Sequence, residues 1–396
     1  MARPNPWTNR LAALALGLGL AMSLVIAPCW WTIYRDHDPV CSEYKPDFIS
    51  LYTAAVLVTG DRPALYDLER QRQVQQPIDP SRGSWVLPFF YPPFFALLLA
   101  PLAAFSFSAA FALMTLVNGA LLALSLAILM RRLELGRAQK IWLMLATVCN
   151  YGVHYALLQA QTSFMALILL VLFVAALTDD RYGRAGWWSG MLIFKPPLLA
   201  VPGLLLLIKK SWRGIGALGL MVVGLCLVSY FMLGLEGLRA YLSVSQRAMA
   251  GDAALSIQPE RMHNLRGLAY FFAAPAWRDY LWYALTMVAL AAMVLQCRRV
   301  LGLTPSAYPA WVKVLIGLIL VAPHFHDHDM TLFILPAAFI LKLGGDEVPP
   351  WVALTLVGAG VFPLINTLAF PHLPPLIPLA GFSYLLSGFW SSGRST

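Results

Sequence analysis

Charge is what this chain has least of. Only 12% of its 396 residues are Asp, Glu, Lys or Arg, while 59% are hydrophobic. Soluble globular chains carry about 25% charged and about 45–50% apolar residues. The shortage excludes an ordinary soluble enzyme, and the apolar excess excludes a disordered chain. Cysteine is scarce as well. Five residues cannot form the disulfide framework of a small secreted domain, although Cys29 and Cys41 fall near one membrane face and could pair. The 28 glycines and 28 prolines have no period, which excludes collagen and low complexity. There is no P-loop, dinucleotide fingerprint, nucleophile elbow or paired zinc CxxC, which argues against ATP-driven transport and Rossmann-type cofactors.

What is present is a series of long apolar runs, the pattern of a polytopic membrane protein. The candidate spans are 11–31, 106–130, 140–156, 160–178, 214–235, 279–296, 309–323, 329–343, 350–369 and 375–391. The first is too long for a signal-peptide core and has no clean cleavage site before Trp30 and Trp31, so it reads as a retained helix with its N-terminus inside. Residues 186–208 are apolar but broken at Lys195-Pro196-Pro197 and Pro202, with Arg181 and Arg184 before and Lys209, Lys210 and Arg213 after. They read as a hairpin of two short helices with both ends cytoplasmic. Such breaks are tolerated only where protein or a water-filled cavity covers the freed backbone.

Residues 88–104 are short and begin Tyr91-Pro92-Pro93, which can start a helix and fix its direction. Placing them at the outer interface keeps Arg131 and Arg132 inside, as the positive-inside rule prefers. The cytoplasmic segments then carry 16 Lys/Arg against 5 Asp/Glu, and the outer segments 11 against 14, with Lys195 in the membrane. The net charge of +9 therefore reports topology rather than nucleic-acid binding.

The expected architecture is all-α, with about 10–12 transmembrane helices and a large first extracytoplasmic loop. It is one membrane domain over 1–396: a first helix (1–33), an outer loop (34–105) with juxtamembrane helices near 46–60 and 63–76, helices over 106–235 including the broken hairpin 186–208, a second outer loop (236–278), and C-terminal helices (279–396). No repeat of 20–50 residues is evident. Trp30, Trp31, Trp85, Trp187 and Trp188 suit an interfacial belt.

Several polar residues could carry chemistry. Asp47, just beyond the first span, is either a helix cap or a base that takes a proton from an attacking sugar hydroxyl. Lys195, a cation inside an apolar run, either meets a phosphate or snorkels and pairs with carbonyls freed at the proline break. His324, His326 and His328 alternate with Asp327 and Asp329. They could ligate zinc, contact a phosphate or sugar, relay protons, or lie in a solvated loop. In the second outer loop, His263 and Asn264 accompany Arg247, Arg261 and Arg266, whose forks match phosphate geometry but equally suit an anionic lipid surface. Gln159 and Gln161 either bond a sugar hydroxyl or cap a helix.

Taken in order, Asp47-Phe48, Leu65-Tyr66-Asp67, Tyr91-Pro92-Pro93, Pro101-Leu102-Ala103, Gln161, Lys195-Pro196 and Ala322-Pro323 followed by the acid/His cluster resemble the glycosyltransferase family 87 mannosyltransferases, a branch of the GT-C superfamily. The resemblance covers roughly residues 40–345. It implies a GT-C-like membrane enzyme that takes its sugar from a polyprenyl phosphate, and it implies Asp47 as the catalytic base. Actinobacterial members carry Ser-Pro-x-Ser-Trp-x-His-His before a late helix. Here His328 falls at the first of those histidines, while His326 and Asp329 replace the tryptophan and the second histidine. The residue before Gln161, usually Gly, is Ala160.

The resemblance implies an inverting hexosyltransferase, with mannose as the sugar, acting at the outer face of a bacterial plasma membrane on a lipid or glycan acceptor. Asp47 is the expected catalytic residue. The expected substrate ligands are His328, Asp327, His326, His324, Lys195, Arg261, Arg266, His263, Asn264, Gln161 and Tyr91. No metal, nucleotide or other cofactor is expected, and no nucleic acid. Cations such as Arg261 and Arg266, or the histidines, would meet the leaving phosphate. The competing reading is a polyprenyl-lipid transporter or flippase, which would place the key charges near the midplane.

Overall fold

The computed structural model describes residues 6–35, 46–80, 85–250, 255, 257–300, 304, 306–369 and 372–390. The Cys29–Cys41 pairing that the sequence left open falls outside the described side chains. Among the described residues there are seventeen α-helices and no strand. In chain order these are α1 (Pro6–Arg35), α2 (Phe48–Gly60), α3 (Leu68–Gln75), α4 (Pro93–Leu99), α5 (Phe107–Arg132), α6 (Arg137–Cys149), α7 (Tyr151–Leu158), α8 (Ser163–Thr178) and α9 (Tyr182–Met191). They continue with α10 (Ala200–Ile208), α11 (Trp212–Met249), α12 (Leu265–Phe272), α13 (Arg278–Cys297), α14 (Tyr308–Val321), α15 (Ile334–Leu343), α16 (Pro350–Ala369) and α17 (Leu376–Trp390).

Four described stretches are long and apolar enough to cross a membrane alone: Phe107–Arg132, Trp212–Met249, Pro275–Cys297 and Pro350–Ala369. The pair α6 and α7, bent by 54°, makes a fifth. The remaining expected spans are helices or shorter apolar pieces. The 16-residue α8 rises only about 24 Å at 1.5 Å per residue, short of the ~30 Å hydrocarbon core. The chain is an all-α polytopic membrane protein.

The second outer loop, expected to begin at residue 236, instead continues as helix to Met249. Only Gly234, with φ 66° and ψ −171°, breaks α11 on the way. Glycine pays no steric cost for that conformation, so this one residue kinks the chain between two helical pieces. Leu220, Val223, Leu227 and Phe231 stay exposed along this helix, as a lipid-facing surface requires.

Lipid tails are as apolar as leucine, so the bundle is held by close packing and polar contacts rather than by exclusion of water. The centre is α8, buried on nearly every face and packed on α5 and α9. Helix α9 lies against α11 through Gly186. A Cβ there would sit 2.0 Å from the Gly214 carbonyl oxygen, so glycine permits backbone-to-backbone approach.

Irregular backbone near the membrane is satisfied by side-chain amides. Residues 85–91 have no regular secondary structure. Gln75 binds Leu87 at both backbone atoms, donating to its oxygen at 2.8 Å and accepting from its nitrogen at 3.0 Å. Gln71 accepts from the Phe89 N–H at 3.0 Å and donates to the Leu65 oxygen at 2.7 Å. Spaced four residues apart on α3, the two glutamines share one face and strap this segment in place. Ser50 adds a bond to the Pro88 oxygen at 2.8 Å. At the α6–α7 bend, Asn150 accepts from the Gly152 N–H at 2.9 Å and donates to the Met330 oxygen at 3.1 Å.

Gly152 lets the 327–330 turn lie directly on α7. A Cβ at this position would fall 2.6 Å from the Asp327 carbonyl oxygen and from the Met330 Cβ. Gly152→Ala is therefore expected to destabilise the protein by about 1–3 kcal/mol through overpacking, read as a lowered thermal unfolding midpoint in detergent. Gly119→Ala, where nothing lies within 4 Å of the added carbon, is the control. It should be neutral or stabilise by up to about 1 kcal/mol, since it replaces a helical glycine.

Candidate functional site

One cavity of about 440 Å³ gathers most of the polar groups singled out above. Its volume falls in the ~300–1,000 Å³ range of small-molecule sites. It is built where helices break: at the start of α2, in the strapped segment before α4, at the α7–α8 turn, at the α9–α10 break and in the 322–329 segment. Asp47, Tyr91, Gln161, Lys195, Arg261, His324, His326, Asp327 and His328 all line it. Asp329 and Tyr155 join them. The apolar part of the lining includes Leu87, Phe90, Leu198, Ala248, Leu255 and Ile257.

Asp47 precedes α2, but its side chain makes no capping hydrogen bond. The carboxylate is held instead by Gln161, whose Nε2 donates to Oδ2 at 2.6 Å. Its backbone N–H donates to the Gln159 side-chain oxygen, and the next N–H, of Phe48, donates to the Gln159 carbonyl at 3.2 Å. Both glutamines are buried and flank Ala160, a non-glycine residue at φ 45°. Tyr91 reaches the same turn, with its hydroxyl 2.8 Å from the Thr162 hydroxyl and 3.5 Å from the Gln161 side-chain oxygen. Its ring stacks on Phe95, which stacks on Phe194 at 5.0 Å. The strapped segment is thereby tied to the broken hairpin.

Lys195 sits at the α9–α10 break, where Pro196 supplies no N–H. Its Nζ donates to Asp329 Oδ1 at 2.6 Å, and Ser163 donates to the same oxygen at 2.8 Å. Asp329 Oδ2 lies 3.3 Å from His328 Nε2 and accepts from the His326 N–H at 3.4 Å. The lysine neither snorkels nor binds carbonyls; its charge is matched inside the cavity. Asp329 was not among the expected ligands. The signal was present, since a cation in an apolar run calls for an acid and Asp329 opens the next apolar segment.

Two of the histidines, His324 and His326, are not suited to the cationic role. Burial pushes His324 down to about 3, with His326 and Arg266 adding repulsion. Burial likewise pushes His326 down to about 4, with His328 adding to it. Both are neutral near pH 7 and offer hydrogen bonds rather than charge. Their rings alternate along the segment, and among the described residues no three His, Cys, Asp or Glu groups converge to hold one metal ion.

Three expected ligands lie behind the wall. His263, 1% exposed, is 2.6 Å from Asp327 Oδ1 through Nε2, and its backbone N–H donates to the Phe325 oxygen at 2.9 Å. Asn264 is fully buried, caps α12 through Gly267 and donates to the Ala322 oxygen at 2.6 Å. Arg266 is buried under Trp282 (4.8 Å) and Tyr270 (5.4 Å) and donates to the Met249 oxygen at 2.7 Å. These residues support the cavity wall rather than line it. Helix α12 turns its amphipathic face inward, and sequence alone did not say which loop residues that face would bury. Arg247 is also absent from the lining.

A coupled pair should respond to mutation as a unit. Asp329→Asn leaves Lys195 without its counter-charge and is expected to cost about 1–3 kcal/mol. Adding Lys195→Met should recover most of that loss, read as the unfolding midpoint in detergent. Two additive losses would show that the pair contributes no coupling.

Comparison with known proteins adds an independent line. The family model for Glycosyltransferase family 87 matches residues 89–323, more than half of the chain. That interval is narrower than the 40–345 expected from the motifs, and it leaves Asp47 and the segment from His324 to Asp329 outside. No curated protein and no solved structure gives a significant match. The matched region contains Tyr91, Gln161, Lys195 and Arg261, four residues that the fold brings to one cavity. The chain belongs to glycosyltransferase family 87.

Proposed function

We propose that the protein transfers a hexose, with mannose the leading choice, from a polyprenyl phosphate to a hydroxyl of a lipid or glycan acceptor at the outer face of a bacterial plasma membrane. The observation that carries this reading is that Asp47, free of any capping duty, opens into the same cavity as Lys195, Arg261 and the 324–329 segment. The cavity lining combines charged and polar side chains with apolar ones. That suits a substrate with a sugar phosphate at one end and a prenyl chain at the other.

In the proposed step, the acceptor oxygen attacks the anomeric carbon while Asp47 takes its proton. The bond from that carbon to the phosphate oxygen breaks, and the lipid phosphate leaves with the electron pair. A single displacement inverts the anomeric carbon, so a β-linked donor yields an α-glycoside. The growing negative charge on the phosphate is met by Arg261, which is in the lining. Neutral His324 and His326 and the carboxylate of Asp327 are suited to sugar hydroxyls. Asp327 is fixed for this by His263 at 2.6 Å and by Thr367, whose hydroxyl donates at 3.3 Å. The transporter reading has less support, because Lys195 is neutralised by Asp329 within the cavity that also holds Asp47.

The test is sugar transfer by purified, lipid-reconstituted protein given radiolabelled polyprenyl-phosphate mannose and a total lipid extract. Asp47→Ala is expected to lower kcat by roughly 100-fold or more, as loss of a general base does, while the variant still unfolds cooperatively at the wild-type midpoint. Equal transfer by both proteins would remove Asp47 from the mechanism. The proposed face has its own test. With the native cysteines replaced, Gln73→Cys should react with a membrane-impermeant maleimide on intact spheroplasts, and Lys140→Cys only after lysis. The reverse pattern would put the cavity on the cytoplasmic side.

A further inference from the structure

We propose that Gln159, Ala160 and Gln161 form a clamp that holds Asp47 in its reactive orientation, which makes Gln161 a positioning residue and not a ligand of the sugar. The inference rests on the reading of Asp47 as the base.

The clamp grips Asp47 at two levels. Gln159 takes the backbone: its side chain accepts from the Asp47 N–H and its carbonyl from the Phe48 N–H. Gln161 takes the side chain at Oδ2. The two glutamines flank a tight turn at the end of α7. Ala160 supplies that turn at φ 45°, fully buried. The left-handed region costs a residue with a Cβ about 1–2 kcal/mol, and such strain persists only where the surroundings enforce it. Here the turn is held both by α5 and by the C-terminal end of α7. Asn118 on α5 donates to the Gln161 carbonyl at 2.9 Å, and the Gln161 N–H donates to the Ala156 oxygen at 2.9 Å.

The orientation of the Gln161 amide is fixed by chemistry. Its oxygen faces the Tyr91 hydroxyl and the Thr162 N–H, both donors. Its NH₂ therefore faces the carboxylate, which can only accept. With Nε2 committed to Asp47 and the side chain 7% exposed, little is left to meet a sugar hydroxyl. The choice of an amide also matters. A lysine or arginine at this point would offset the carboxylate's charge, whereas a neutral donor orients the group and leaves its charge in place. Oδ1 receives no hydrogen bond from a described residue, so one oxygen is open to the incoming proton.

The experiment compares wild type, Gln161→Met, Gln161→Asn and Asp47→Ala in reconstituted protein. Gln161→Met keeps the bulk and removes the amide. It should lower kcat roughly 10- to 100-fold, the scale expected for a misplaced catalytic group, with KM for donor and acceptor within about twofold of wild type. Gln161→Asn retains a shorter amide and should recover part of kcat. In the Asp47→Ala background, Gln161→Met should cost nothing further. A rise in KM at unchanged kcat would make Gln161 a sugar ligand and overturn the clamp. A second readout needs no substrate. Labelling of Asp47 by a hydrophobic carbodiimide, read by peptide mass spectrometry at fixed pH, should rise severalfold in Gln161→Met and partly in Gln161→Asn. Unchanged labelling in both overturns the clamp whatever the transfer assay shows. If wild type transfers nothing and labelling still rises, the clamp stands and the reading of the activity fails.

Discussion

Backbone that leaves the helix beside a membrane must find its hydrogen bonds in protein, and in this molecule side-chain amides supply many of them. Gln71 and Gln75 strap residues 87–89. Asn150 holds the bend between α6 and α7 to Met330. Asn264 holds α12 to Ala322. Gln159 receives the N–H groups of Asp47 and Phe48. Several of these breaks border the cavity. Without such partners each freed peptide group would cost as much as a lost hydrogen bond, and the breaks would close back into continuous helix.

The same constraint shapes the electrostatics. Unpaired charge is expensive in this setting, so the cavity pairs or neutralises it. Lys195 is matched by Asp329, Asp327 is held by His263, and burial keeps His324 and His326 uncharged. Asp47 is treated differently: among the described residues its carboxylate is hydrogen-bonded by the neutral amide of Gln161 and by no cation.

Much of the candidate site was legible as a set of residue types, and less of it as a geometry. Asp47, Lys195 and the His/Asp segment announce themselves because ionisable groups are rare and costly in apolar surroundings. Their roles were not legible. Whether Asp47 caps a helix or faces a cavity depends on Gln161, 114 residues away. Whether Lys195 snorkels depends on Asp329, 134 residues away. The histidines read as cations because histidine titrates near neutral pH in water, and their burial is a property of the assembled wall. Arg266 looked like a phosphate ligand because arginine so often is one, yet its guanidinium is spent on the faces of Trp282 and Tyr270.

By itself the sequence determined the fold class, the approximate spans and the breaks between them. Those follow from local quantities: apolar run length against bilayer thickness, and proline or glycine against the helical ladder. It also marked the break at Lys195-Pro196-Pro197, whereas the bend at Asn150 and the kink at Gly234 came only with the structure. Only the tertiary structure decided that α11 runs on to Met249, that His263, Asn264 and Arg266 stand behind the wall, and that Asp47 meets Gln161. Hydrogen bonds and ion pairs act over about 3 Å, so their partners are set by which helices pack together, and residues distant in sequence carry no local mark of that neighbourhood.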